Sequence, residues 1–411
     1  MRILQLLAYC YPEHAASDHL GRNRHEAFAQ AGFNSIAYVP TPTRGVSDEV
    51  RNEYKKKKLE YMFDGHLEIH RFSMFREGKN PIVRALRYSL CWIKQFYYGW
   101  ATKNVDVIYL ASTPPIQGML GGILRKIKNV PFVYNLQDIF PDSLVGTGLA
   151  KKDGLLWKIG RLIENFTYRN ADKIIVISED FKRNIMAKGV PEEKIEVIYN
   201  WVDEQAVVDI PRSENKLFDK YGLNRSKFYI TYCGNIGLTQ NMDMLMESAK
   251  ALESNEDIQF VLIGNGAYRE KLDQIIKNRN ISNVTLLPFQ PYEDISHVFS
   301  LGDVGLVISK PGVGENSVPS KTWSIMSASR PVLVNFDENE LKDIVTKNEC
   351  GIFTKAGDKV AFTDAILKLY HNREVCKEMG RHGRKFVLEY LTKEVGTQKY
   401  VNVIKSVVNN R

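Results

Sequence analysis

The feature that most limits this chain is an alternation that occurs twice. Short, almost continuously apolar runs are separated by helix-length stretches, first through residues 1–200 and again through the rest. In the first half "RILQLLAY", "NSIAYVP", "LEIHRF", "DVIYLAS", "PFVYNLQ", "KIIVIS" and "IEVIYN" read as parallel strands buried on both faces. Helical stretches such as "GRNRHEAFAQAG", "PIQGMLGGILRKI" and "GLLWKIGRLIENFTYRN" lie between several of them. The second half repeats the pattern with "FYITYCG", "IQFVLIG", "VTLLPF", "VGLVIS", "PVLVNF" and "CGIFT". Two successive βαβ arrays predict an α/β chain with two doubly wound parallel sheets. A length of 411 residues leaves room for a core in each. The polar stretch Tyr199 to Leu223 is the expected seam. It gives one domain over residues 1–199, a second over 200–385, and an amphipathic helical end over 386–411.

Composition removes several classes. No apolar run approaches the ~20 residues that span a bilayer. The opening "MRILQLLAYC" ends at Tyr11-Pro12-Glu13-His14 without a small-residue cleavage site, so it reads as a first strand rather than a signal peptide. Five scattered cysteines suggest neither a disulfide framework nor a zinc site, and they fit a reducing cytoplasm. The net charge of +8 sits entirely in the first half, where 29 Lys and Arg face 21 Asp and Glu; the remainder holds 27 of each sign. Such a half suits an anionic partner or is a solvated basic face. No nucleic-acid recognition module is present. "EYKKKKLEYMF" and "NPIVRALRYSLCWIKQFYYGWATKN" join basic to aromatic residues. They predict salt-sensitive, peripheral association of the first domain with an anionic membrane surface. The plainer reading makes residues 81–100 a helix packed on the first sheet; one helix can serve both.

Open α/β sheets bind ligands beyond the carboxyl ends of their strands, often at helix N-termini. The second half offers three such turns: "YCGNIGLTQNMDM", "LIGNGAYREKL" and "NSVPSKTWSIM". In the third, Ser320 is placed to cap a helix and Lys321 lies in its first turn. Cations usually favour the opposite helix end, so a lysine here suggests an anion sharing the site. Three turns with one lysine predict a nucleotide-diphosphate site. In the first half, Asp138 of "LQDIFPD" is a candidate for catalytic or acceptor contact, or it caps a turn. His14, His19 and His25 have no standard zinc spacing; one is expected to face the cleft and the others solvent.

The segments "PFVYNLQDIFPDSLVGTGL", "ADKIIVISEDFKRNI", "YCGNIGLTQNMDML", "FVLIGNGAYREKL", "VTLLPFQPYEDI" and "VPSKTWSIMSASRPVL" resemble the family 4 glycosyltransferases of GT-B fold. Within that family they look like the bacterial surface-polysaccharide branch similar to L-fucosamine transferases. The resemblance implies two Rossmann-like domains facing across a cleft, with the C-terminal segment crossing back to the first domain. It implies retaining, metal-independent transfer from a UDP-sugar, without a cofactor, to a polyprenyl-diphosphate-linked saccharide at the cytoplasmic membrane face, in O-antigen or capsule assembly. By carry-over, Gly234 and Asn235 would lie by the donor diphosphate with Lys321 as its cationic partner, and Ser320 and Thr322 would also bind the donor. Gly264, Asn265 and the turn from Phe289 to Pro291 would bracket the nucleoside, and Glu315 would meet the donor sugar. Asp138, Glu315 and Lys321 are the catalytic candidates. The acceptor side would include Ser17, Asp18, His19 and Gly21 of "EHAASDHLGR".

The sequence departs from the family pattern in three places. The Glu-x7-Glu pair is degraded: its second position is Ser324, and its first aligns near Asn316, one place from Glu315. "AASDH" replaces the Gly-Gly after the first strand. Gln240 stands where a lysine is common, so Lys321 would carry more of the charge, or Arg330 or Arg22 would assist. A binding relative with weakened catalysis, or another GT-B sugar-nucleotide enzyme such as an epimerase, remains the alternative.

Overall fold

A computed structural model describes residues 1–13, 18–78, 80–146, 150–315 and 318–409. The chain divides into two compact units, Met1–Tyr199 with Gly396–Arg411, and Asn200–Val395. The first unit is built on β1 (Arg2–Leu6), β2 (Asn34–Pro40), β3 (Leu59–Met62), β4 (Leu67–Phe72), β5 (Val107–Ala111), β6 (Phe132–Leu136), β7 (Lys173–Val176) and β8 (Ile195–Val197). They lie in the order β3-β4-β2-β1-β5-β6-β7-β8. All neighbours are parallel except β3, which pairs antiparallel with β4. The expected all-parallel sheet is therefore mixed. Four lysines precede "LEYM", and its residues are alternately exposed and half-buried, as an edge strand tolerates and a doubly buried one does not.

The period of two along the strands separates the sheet's faces. Leu4, Leu6, Ile108, Leu110, Phe132 and Tyr134 join one core cluster, with Leu120 and Leu124 of the helix Gln117–Lys128. The helix Pro81–Ala101 packs Trp92 and Phe96 against the same cluster. It starts where Asn80 accepts from the Ile82 and Val83 amides, with a proline at its first position. Gln5, Tyr109 and Asn135 belong to the alternate set. There the Asn135 side-chain amide nitrogen donates to the Tyr109 hydroxyl at 2.7 Å, and the Tyr400 hydroxyl donates to the Asn135 side-chain oxygen at 3.2 Å. The Arg24 guanidinium lies over the rings of Tyr109 and Tyr400. This buried group fastens the helix Lys393–Asn409 to the first unit. Residues 386–390 instead complete the helix Arg373–Tyr390, and the change of unit falls at Val395 and Gly396, ten residues after the position expected from sequence. Among the described residues, no helix is long and apolar enough to cross a membrane.

The second unit carries β9 (Phe228–Cys233), β10 (Ile258–Ile263), β11 (Val284–Leu287), β12 (Val304–Ile308), β13 (Val332–Phe336) and β14 (Gly351–Lys355). All are parallel, in the order β11-β10-β9-β12-β13-β14. The direction of winding reverses between β9 and β12. That switch point leaves a crevice beyond their carboxyl ends, because the helices that follow them depart to opposite sides.

Candidate active site

Three loops meet at this switch point, and their backbones touch. The Ile236 amide donates to the Asn265 carbonyl at 2.8 Å, the Tyr268 amide to the Ile236 carbonyl at 2.9 Å, and the Lys310 amide to the Thr239 carbonyl at 2.8 Å. Such close approach requires glycine. A Cβ on Gly264, whose φ is +157°, would lie 1.9 Å from the Gly234 carbonyl oxygen; one on Gly266 would lie 2.3 Å from that of Ile236. The Asn235 side chain fills the space left beside Gly237 and Gly266. Gln240, in the place of the expected lysine, accepts from the Gly237 amide at 3.0 Å and closes the first turn on itself.

Lys321 opens the helix Lys321–Ser327 and reaches back to the loop after β9. Its Nζ donates to the Tyr232 hydroxyl at 2.7 Å, and that hydroxyl donates to the Asn235 carbonyl at 2.6 Å. A Cβ on Gly234 would lie 3.0 Å from Nζ, so this glycine makes room for the ammonium group. No carboxylate pairs with Lys321 among the described residues. Burial lowers its pKa from 10.5 to about 8, a shift that the neighbouring Cys233 only partly opposes. The amine is therefore a partly desolvated cation without a counter-ion, at a helix start where the backbone dipole is already positive. Each contribution to that cost is relieved by a bound anion.

The other expected donor residues divide. Asn265 is exposed at the end of β10, and Phe289 and Pro291 are exposed beyond β11, the neighbouring strand. Arg269 joins those two strand ends, its guanidinium donating to the Gly264 carbonyl at 2.6 Å and the Leu287 carbonyl at 3.0 Å. Ser320 has helical φ and ψ and makes no side-chain cap, so the expected cap is absent. Thr322 is wholly buried, and its hydroxyl oxygen has no hydrogen-bond partner among the described residues. Glu315 is exposed, Ser324 is half-buried, and Asn316 lies outside the described residues. Arg330, considered as a second cation for the diphosphate, is consumed elsewhere. It donates to the carbonyls of Gly302 and Ser300 and pairs with Asp209 at 2.8 Å.

In the first unit, Ser17 and His14 lie outside the described residues. Asp18 begins the helix Asp18–Gln30, and His19 and Gly21 are half-buried in its first turn. His25 is buried rather than open to solvent. Its Nε2 meets the Gln5 amide oxygen at 2.9 Å, and burial first, then Arg24, lowers its pKa to about 3. Among the described residues, no group of three His, Cys, Asp or Glu is placed to hold a metal. Asp138 follows β6. It is exposed as a whole residue, yet packing around its carboxyl raises the pKa, against the Ser143 hydroxyl that donates to it at 3.0 Å. That bond ties its carboxylate to the helix Asp142–Gly146 that follows.

Comparison with known proteins accords with this geometry. Residues 22–206 match the model of Glycosyltransferase Family 4, and residues 213–386 match that of Glycosyl transferases group 1. The chain is 27% identical over 262 residues to WbjE of Pseudomonas aeruginosa, described as a glycosyltransferase, with 64% of this chain and 65% of that protein covered. It is 28% identical over 212 residues to WcaI of Escherichia coli, described as a colanic acid biosynthesis glycosyl transferase, covering 50% and 51%. The alignments thus span between half and two thirds of these curated relatives. Among solved structures, a sucrose-phosphate synthase of Thermosynechococcus elongatus superposes with a TM-score of 0.78 at 15% identity, covering 100% of both chains. The HepE protein of Anabaena, solved with UDP, superposes at 0.74 and 16% identity, covering 99% and 100%. With one family model matching the first half and another the second, on a pair of wound sheets, the chain belongs to family 4 of the glycosyltransferases and has the GT-B fold.

Proposed function

We propose that the chain is a retaining, metal-independent glycosyltransferase. It transfers a sugar from a UDP-sugar to a lipid-linked saccharide during O-antigen or capsular polysaccharide assembly. An N-acetylated deoxy-amino sugar such as N-acetyl-L-fucosamine is the favoured donor sugar. The observation that carries the reading is the Lys321 ammonium group, desolvated and, among the described residues, without a carboxylate partner, beside Gly234 at the switch point. In the reaction, the bond from the anomeric carbon to the β-phosphate oxygen breaks and one to an acceptor hydroxyl oxygen forms. The hydroxyl proton passes to the departing phosphate. Negative charge grows on the diphosphate as that bond breaks, and a fixed cation beside it lowers the barrier. The exposed Asn265 and Phe289 are assigned to the nucleoside, and Glu315 to the sugar.

The acceptor is assigned to the first unit, with Asp138 as its candidate contact. The excess positive charge there supports peripheral association with the anionic cytoplasmic face of the membrane. A panel of UDP-sugars is assayed with a polyprenyl-diphosphate saccharide in the presence of EDTA. The expected outcome is transfer of one sugar with its anomeric configuration kept, and loss of transfer in Lys321→Ala. Stabilisation by UDP without turnover would favour the weakened relative that Ser324 suggests, and absence of both would end the proposal.

A further inference from the structure

Beyond the carboxyl ends of β2 and β4, the first unit holds a pocket of ≈ 400 Å³. Thr41, Ser73 and Phe75 contribute to its walls, with Leu90 of the helix Pro81–Ala101 on another side. Among the described residues two cations, Lys55 and Lys94, line it, and no acid does. Two more cations support its walls. Arg51 donates to the carbonyls of Thr41, Pro42 and Met74. Arg87 is wholly buried; its Nε donates to the Phe75 carbonyl at 3.1 Å, and both terminal nitrogens have no partner among the described residues. Burial lowers the pKa of Arg51, and the charges of Arg87 and Arg76 lower it further. The acids that face this group are occupied. Glu13 accepts from the backbone amides of Cys10, Thr43 and Arg44, and Asp48 pairs with Arg76. An anion in the pocket would supply the missing charge.

An apolar strip runs from the same place. Ile82, Leu86, Leu90, Ile93, Tyr97 and Trp100 are all exposed, between 39% and 79%. At 100° per residue they fall within an arc of about 80° on one side of the helix. Leu90 belongs to both the strip and the pocket. The helix carries Arg84, Arg87 and Lys94 and no acid. An apolar face flanked on its own helix by positive charge, of which Arg84 is paired with Glu77 at 3.1 Å, complements an anionic amphiphile.

We infer that this pocket and strip form a binding site for a phosphate-bearing lipid, whose phosphate enters between Lys55 and Lys94 while its hydrocarbon lies along the outer face of the helix Pro81–Ala101. The inference rests on the membrane-associated reading above and adds the place and chemistry of the contact. The test uses the full chain with vesicles of phosphatidylcholine, alone or containing phosphatidic acid, and with inorganic pyrophosphate in solution. Wild type is expected to sediment with the phosphatidic acid vesicles. Lys55→Glu combined with Lys94→Glu should bind them at least about tenfold more weakly, and Leu86→Glu combined with Ile93→Glu should bind neither vesicle. UDP should stabilise all three proteins equally, which tests the donor reading separately. The inference is overturned if the lysine variant binds like wild type. It is also overturned if pyrophosphate binds while vesicles do not, or if the strip variant only disperses a dimer.

Discussion

The two sheets are wound alike, but the ends where their ligands would bind are built differently. In the second unit, loop backbones touch across glycines and enclose one lysine. In the first, a proline- and aromatic-containing loop leads from β1, and cations gather near an exposed apolar helix face. One construction fixes a small rigid anion by backbone geometry, while the other suits a ligand held by charge and hydrocarbon. Substitutions at equivalent kinds of position should therefore have unequal effects.

The largest difference is expected between two glycines. Gly264→Ala drives a methyl group into the Gly234 carbonyl and should lower stability by about 3 kcal/mol or more, with loss of UDP binding. Gly189 also has positive φ, but nothing lies within 4 Å of an added Cβ. Its change to alanine should cost only about 1 kcal/mol, the price of the left-handed conformation. Denaturant unfolding of both variants checks the contrast, and equal losses would break it. Arg330→Ala should cost about 2 kcal/mol, because the variant leaves buried carbonyls unpaired, yet leave UDP affinity within about twofold of wild type. A large loss of affinity would return Arg330 to the site.

How much of this is legible in the sequence follows from the range of each interaction. Strands buried on both faces announce themselves through composition, Gly234 and Gly264 through their position after strands, and Lys321 through its place in the first turn of a helix. The edge strand β3 is hidden because half-exposed residues behind four lysines resemble a surface segment. Tyr232 reads as one more strand residue, and only its hydroxyl's position between Lys321 and Asn235 reveals its part in the site. Arg269 is likewise an ordinary helical residue until the fold brings Gly264 and Leu287 together. The pairing of Tyr400 with Asn135 joins distant segments that no local pattern connects.

A smaller effect concerns pH. Lys321 has a folded pKa of about 8 against 10.5 when unexposed to burial, so the unfolded chain binds more protons between those values. Stability should accordingly rise with pH across that window, and the cost of the buried charge is fully present below about 8. Lys321→Met should therefore be more stable than wild type at pH 7, by on the order of 2 kcal/mol, with the gap closing toward pH 10.5. UDP should narrow the gap by stabilising wild type more than the variant. Thermal unfolding across pH tests both parts, and a gap that widens with pH would contradict the assignment.

The account depends most on Lys321 as the partner of a diphosphate, and titration calorimetry with UDP and with uridine tests this directly. Wild type should bind UDP far more tightly than uridine, and Lys321→Ala should weaken UDP by about 30- to 100-fold while leaving uridine unchanged, as loss of a charge-assisted bond to phosphate requires. Equal weakening of both ligands, or undiminished UDP binding, would contradict it.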